Sequence, residues 1–176
     1  LYSEDGTMMD NTHEWCAEGI APQMERMKGV LVEDLAWSNE ILMRGDALHI
    51  PSVADLPPEA DDERRAFQAQ DTQSLIAVPL VYRGETIGLV GFDAVHQKRS
   101  WTDESIKLLQ MLAAILVNAL ERKRAQVIQA GQRQFLELLA TGGAFSETLH
   151  TLVSIIEEQW PGMQALVLVL DEDGRH

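Results

Sequence analysis

The run Ser74-Leu75-Ile76-Ala77-Val78-Pro79-Leu80-Val81-Tyr82-Arg83-Gly84-Glu85-Thr86-Ile87-Gly88-Leu89-Val90-Gly91-Phe92-Asp93-Ala94 reads as a β-hairpin. Two stretches rich in Val, Ile and Leu flank Arg83-Gly84, a dipeptide of the length that joins antiparallel strands tightly. Leu75, Ile76, Val78, Leu80, Ile87, Leu89, Val90 and Phe92 are too many for one wet face, so the spacing predicts a hairpin buried on both sides. Asp93 closes this apolar strand. A carboxylate there needs a partner, whether a backbone N–H, Arg99 or a donor on a ligand. Gly88 and Gly91 permit close backbone approach but belong to no phosphate loop.

Upstream, the turn pair Asp5-Gly6 precedes Thr7–Cys16, which reads as a strand. Alternation would put Asn11, His13 and Trp15 on one face and Thr12, Glu14 and Cys16 on the other. Met24–Val32 carries both helical and breaking signals, Pro22 on one side and Gly29 on the other. Leu35–Arg44 reads as a short helix packed through Trp37 and Leu42. Ala47–Val53 reads as an edge strand, since Pro51 cannot donate to a ladder. Leu56-Pro57-Pro58 then opens a helix over Glu59–Arg65, with acidic residues in its first turn as the macrodipole favours.

Downstream, Thr102 caps a long helix that runs to Ala140. Leu109, Ala113, Leu116 and Leu120 recur in alternating steps of four and three, continuing through Lys123, Val127, Ala130 and Gln134 as a seam that is apolar first and mixed later. About 39 residues of helix reach roughly 58 Å. That is longer than one small domain covers, so the seam predicts a partner helix, a second copy in parallel, with Leu109, Ala113, Leu116, Leu120 and Val127 at the contact. Thr141-Gly142-Gly143 ends the helix. Ser146 caps another, closed by Pro161-Gly162, and Val167–Leu170 reads as a strand before the turn signal Asp173-Gly174. Leu1–Gly6 and Val169–Gly174 echo each other as strand end, acidic pair and glycine turn. The echo predicts a tandem arrangement cut from something longer.

Composition narrows the function. The 176 residues carry 14 Lys+Arg against 28 Asp+Glu, a formal net charge of −14, which excludes a basic nucleic-acid footprint. No apolar run reaches the roughly 18 residues of a membrane span. The single Cys16 excludes a disulfide framework and fits a reducing, cytoplasmic setting. His13, Glu14 and Cys16 lie close in sequence, but strand alternation turns His13 and Cys16 to opposite sides, against a shared metal or a nucleophilic Cys–His pair. No catalytic, metal or cofactor set is expected. His13, Trp15, Trp37, Ser74 and Asp93 are the candidates to line a small-molecule pocket, where aromatic walls and a few polar groups serve recognition.

The hairpin, with its Val78-Pro79-Leu80 strand and Gly88-Leu89-Val90-Gly91-Phe92 return, resembles the last two strands of a GAF domain. Trp101-Thr102-Asp103-Glu104 before the Leu-rich helix is similar to the closing helix of that family. Asn11–Ile20 resembles a bacterial subgroup found beside diguanylate cyclase, phosphodiesterase and histidine kinase modules. The resemblance implies an α+β fold: a GAF-type antiparallel sheet flanked by helices, with a pocket between sheet and covering loops and a long C-terminal signalling helix. It further implies a GAF domain over 1–124 lacking its first helix and strand, a signalling helix over 125–143, and the opening helix and strand of a second GAF-like unit over 144–176. Lys98, Trp101, Asp103 and Glu104 only partly match the cyclic-nucleotide signature of the family, whose Asn is missing. Cys16 lies on the wrong element for bilin attachment, and one Cys is too few for methionine-sulfoxide reduction. The expected function is a sensor in which a small molecule shifts the population of helix-pair arrangements and a covalently linked output domain responds, by cyclic-di-GMP turnover or as a histidine kinase. A ligand-free structural dimerisation module is the alternative.

Overall fold

A computed structural model describes residues 1–3, 5–140, 149–150 and 153–154. In chain order it contains β1 (Met8–Met9), β2 (Val30–Leu31), α1 (Ala36–Met43), β3 (Leu48–Ile50), α2 (Asp61–Gln68), β4 (Ser74–Tyr82), β5 (Glu85–Ala94) and α3 (Asp103–Ala140), with 3-10 turns at Met24–Met27, Val32–Leu35, Val53–Asp55 and Pro58–Ala60. Packing divides the chain into Leu1–Ala119 and Leu120–His176.

The hairpin forms where its sequence predicts it. Arg83 and Gly84 both take positive φ, 53° and 90°, the mirror-image turn whose twist matches that of paired strands. β4 is flanked on its other side by β3, through Ala77, Ile76 and Leu75 only. Pro79 therefore sits beyond the reach of β3, where its missing N–H breaks no second ladder. The order β3-β4-β5 is antiparallel throughout. A stub at Leu1–Ser3 extends it: the Tyr2 N–H donates to the Ile87 carbonyl at 3.1 Å, and Tyr2 bridges Met9 of the antiparallel β1-β2 pair.

Two cores lie on the two faces of this sheet. Leu75 and Ala77 of β4 join Leu48, Ile50, Leu42, Val53, Leu56 and Ala60 under α1 and α2, with Trp37 and Leu89 packed at the margin. The intervening Ile76, Val78 and Leu80 meet Leu109, Ala113 and Val117 of α3. Polar ties fix the helices. The buried Glu63 accepts the Ser38 N–H at 3.0 Å, in the first turn of α1. Asn39 accepts the Tyr2 hydroxyl at 2.6 Å and donates to the Val32 and Leu35 carbonyls.

Four expectations need correction. The strand over Thr7–Cys16 shrinks to Met8–Met9, because side chains take the backbone donors that a ladder would use: Asp10 Oδ1 accepts the Gly29 N–H at 2.6 Å. Phe92 is 53% exposed rather than buried. Glu63, one of the acidic residues expected in the first turn of the helix over Glu59–Arg65, is buried rather than left to solvent, because its carboxylate accepts the Ser38 N–H. The seam Leu109, Ala113 and Leu116 is occupied by the chain's own sheet, so it does not await a partner helix; Leu120 is half-buried and Val127 exposed in the second unit. The opening helix and strand of the second GAF-like unit, with the glycine stop before it, lie outside the described residues apart from helical Leu149-His150 and Val153-Ser154.

Candidate functional site

Register decides which residues share a face. Asp93 lies opposite Leu75, and Gly91 opposite Ala77, so both belong to the side of the sheet that carries α1 and α2. Gly91 is needed there: a Cβ would meet the Ile76 carbonyl oxygen at 2.5 Å. Solvent reaches the Asp93 side chain, yet the protein packed around it, and then the charge of Glu14, push its pKa up to about 6. Among the described residues no donor bonds this carboxylate.

Glu14 belongs to the irregular segment that takes the place of the expected strand. Its carboxylate accepts the Gln23 N–H at 2.9 and 3.0 Å and the Met24 N–H at 2.7 Å, closing the loop and capping the turn Met24–Met27. Burial, followed by Glu14, raises the pKa of the half-buried Cys16 thiol, which keeps it protonated and a poor nucleophile. The loop thus brings Glu14 and Cys16 together and sets the Glu14 charge against Asp93. A shallow depression of about 350 Å³ opens beside it, lined by Asp10, Asn11, Thr12, Met24 and Lys28.

The other sequence candidates stand elsewhere. His13 is exposed, its Nδ1 3.0 Å from the Thr12 hydroxyl. Trp15 is 87% exposed. Trp37 packs on the core beneath α1. Ser74 is fully buried, but on the opposite face from Asp93, where its hydroxyl accepts the Arg99 N–H at 2.7 Å. That bond, together with the Trp101 N–H donated to His49 Nε2 at 3.3 Å and the edge-to-face contact of the two rings, ties the β5–α3 connection to the sheet. Sequence reasoning passed over Glu14 as a site residue; its partners lie nine and ten residues away, and no local pattern announces them. Among the described residues no three His, Cys, Asp or Glu side chains could jointly hold a metal ion.

This arrangement, a central antiparallel hairpin with a loop-covered face on one side and a long closing helix on the other, matches the GAF domain family over residues 2–120. The chain belongs to the GAF domain family. The methanogenesis regulatory histidine kinase FilI of Methanothrix harundinacea (strain 6Ac) is 26% identical over 174 residues, covering 94% of this chain and 19% of that protein. The methyl sulfide methyltransferase-associated sensor of Methanosarcina acetivorans is 36% identical over 59 residues, 34% of this chain and 6% of that protein. The GAF chain therefore spans less than a fifth of the length of these relatives. Among solved structures, the far-red-absorbing dark state of JSC1_58120g3 with bound biliverdin IXa aligns with a TM-score of 0.59 at 17% identity, covering 69% of this chain and 76% of that one. A domain assigned to a two-component sensor histidine kinase of Sinorhizobium meliloti 1021 aligns at 0.56 and 18%, covering 74% and 81%. These likenesses are of fold. Among the described residues no helix is long and apolar enough to cross a membrane.

Proposed function

We propose that this GAF domain is the sensory unit of a histidine-kinase-type signalling protein, and that it takes a small molecule with a hydrogen-bond donor on the Asp93 face. The observation that carries the reading is Asp93 itself, a carboxylate on the loop-covered face with no bonded donor among the described residues and a pKa near 6. A donor from a ligand replaces water on that carboxylate and, if cationic, relieves its repulsion from Glu14. That one relative is a histidine kinase and the other a sensor favours kinase output over cyclic-di-GMP turnover. A cytoplasmic setting fits the lone thiol.

The relay follows from the register. Asp93 pairs with Leu75 on one face, and the next pair, Ala94 with Ser74, anchors the β5–α3 connection on the other. A ligand that draws in the end of β5 moves Ser74, Arg99 and the start of α3 with it. Downstream of about residue 124, α3 serves as the signalling helix, a boundary that the family match ending at 120 supports; on this reading the echo of Leu1–Gly6 in Val169–Gly174 makes 144–176 the opening of a second GAF-like unit.

The test is a thermal-shift screen of amines, amino acids and nucleosides on the 176-residue chain, followed by calorimetry. The sensor reading expects at least one stabilising compound whose affinity falls tenfold or more in Asp93→Asn. A screen without hits, in a chain that still self-associates, favours the ligand-free structural module instead.

A further inference from the structure

We propose that His49 couples protonation to the seating of α3: as a neutral imidazole it holds the backbone N–H of Trp101, and on taking up a proton it releases that N–H. His49 is the middle residue of β3 and lies opposite Ile76. Leu48 and Ile50 on either side are committed to the core under α1 and α2, so alternation turns His49 to the face that carries α3. There its Nε2 accepts the Trp101 N–H at 3.3 Å, and the two rings meet edge to face, 5.9 Å apart and inclined at 77°. A backbone N–H only donates, so the bond fixes the ring as neutral with its proton on Nδ1. The imidazolium carries a proton on both nitrogens and has no acceptor left.

The position of Trp101 gives the bond its reach. Thr102 caps α3 by accepting the Ser105 N–H at 3.3 Å, so Trp101 is the residue just before the cap and Ile106 the fourth helical one, the two positions of a hydrophobic staple. Both pack on the core beneath α3. The neighbouring tie, the Arg99 N–H donated to the buried Ser74 hydroxyl at 2.7 Å, rests on a group that does not titrate. Acid therefore acts on one tie and spares the other. The charged and titratable groups around the ring belong to the connection and the first turns of α3: His96, Lys98, Arg99, Asp103, Glu104 and Lys107. β4 carries no Asp, Glu, Lys, Arg or His, and Asp93 lies across the sheet. Lys98 pairs with Asp55 at 3.7 Å, and among the described residues no carboxylate pairs with His49 to hold the imidazolium in place. That a loosened helix start alters an output rests on the sensor reading above; the coupling of His49 to Trp101 does not.

Two-dimensional NMR of the 176-residue chain from about pH 8 to about pH 5 tests the proposal, a range that brackets histidine titration. The expected result at the upper end is a neutral His49 ring with its proton on Nδ1. As that ring takes up a second proton, the Trp101 amide shifts upfield with the same midpoint. It also loses protection against exchange by about tenfold, after correction for the intrinsic pH dependence, while the Arg99 amide keeps its own. His49→Gln offers a carboxamide oxygen near the place of Nε2 at every pH, so Trp101 stays bonded and its titration disappears. His49→Phe keeps the ring contact without an acceptor, so the Trp101 amide is already released at the upper end. A neutral ring protonated on Nε2, a Trp101 amide that ignores the His49 titration in the parent chain, or one that follows pH unchanged in both variants overturns the proposal. Should either variant fail to fold, the parent titration decides alone.

Discussion

Replacing Asp93 with Asn removes a charge from a place that disfavours it. An unfolded Asp titrates near 3.9, whereas folded Asp93 titrates at about 6. Between those values the folded chain holds a proton that the unfolded chain has released. Stability therefore falls as pH rises from about 4 to 6 and stays lower above. Asp93→Asn should melt roughly 1–3 °C above the parent at pH 7.5 and level with it at pH 4, solvent screening keeping the effect small. Gly91→Ala, by contrast, drives a Cβ onto the Ile76 carbonyl oxygen and should cost about 1–3 kcal/mol by urea unfolding. Asp93 was legible in the sequence because a carboxylate ending an apolar strand poses a question of partnership. Ser74 was read onto the same site because face assignment requires the partner strand's register, which one strand alone does not reveal. Glu14 was hidden by distance: nothing local tells which amides a loop carboxylate will cap.

Glu14 closes its loop by accepting two backbone N–H groups, those of Gln23 and Met24, so Glu14→Ala should release that element. Amide exchange at Gln23 and Met24 should quicken by about tenfold or more, and the Asp93 pKa should fall as the neighbouring charge disappears; two-dimensional NMR reads both. On α3 the contrast is between neighbours. Leu109→Ala opens a hole against Ile76, Val78 and Leu80 and should cost about 2–4 kcal/mol, whereas Leu108→Ala should change monomer stability by less than about 0.5 kcal/mol. The hairpin was readable to the residue because β-branched runs, a two-residue turn and a glycine coincide. The face of α3 was not. The helix carries two apolar sides, and a heptad count picks one of them without telling whether its own sheet or another chain will cover it. The strand expected over Thr7–Cys16 failed for a related reason: alternation describes what side chains permit, while Asp10 and Glu14 compete for the backbone donors.

Across the GAF domain as a whole, one sheet serves two purposes on the proposed reading, with ligand chemistry at the Asp93 end of one face and the anchor of α3 on the other. Adjacent register pairs, Leu75 with Asp93 and Ser74 with Ala94, join the two. Amide chemical-shift mapping of the 176-residue chain with a stabilising compound from the screen tests that join most directly. The expected result is shifts at residues 10–24 and at Asp93, continuing through Arg99 and Trp101 into the first turns of α3, and all of them lost in Asp93→Asn. Shifts that bypass Asp93, or that stop at the loop and leave Arg99 and α3 unmoved, would contradict it.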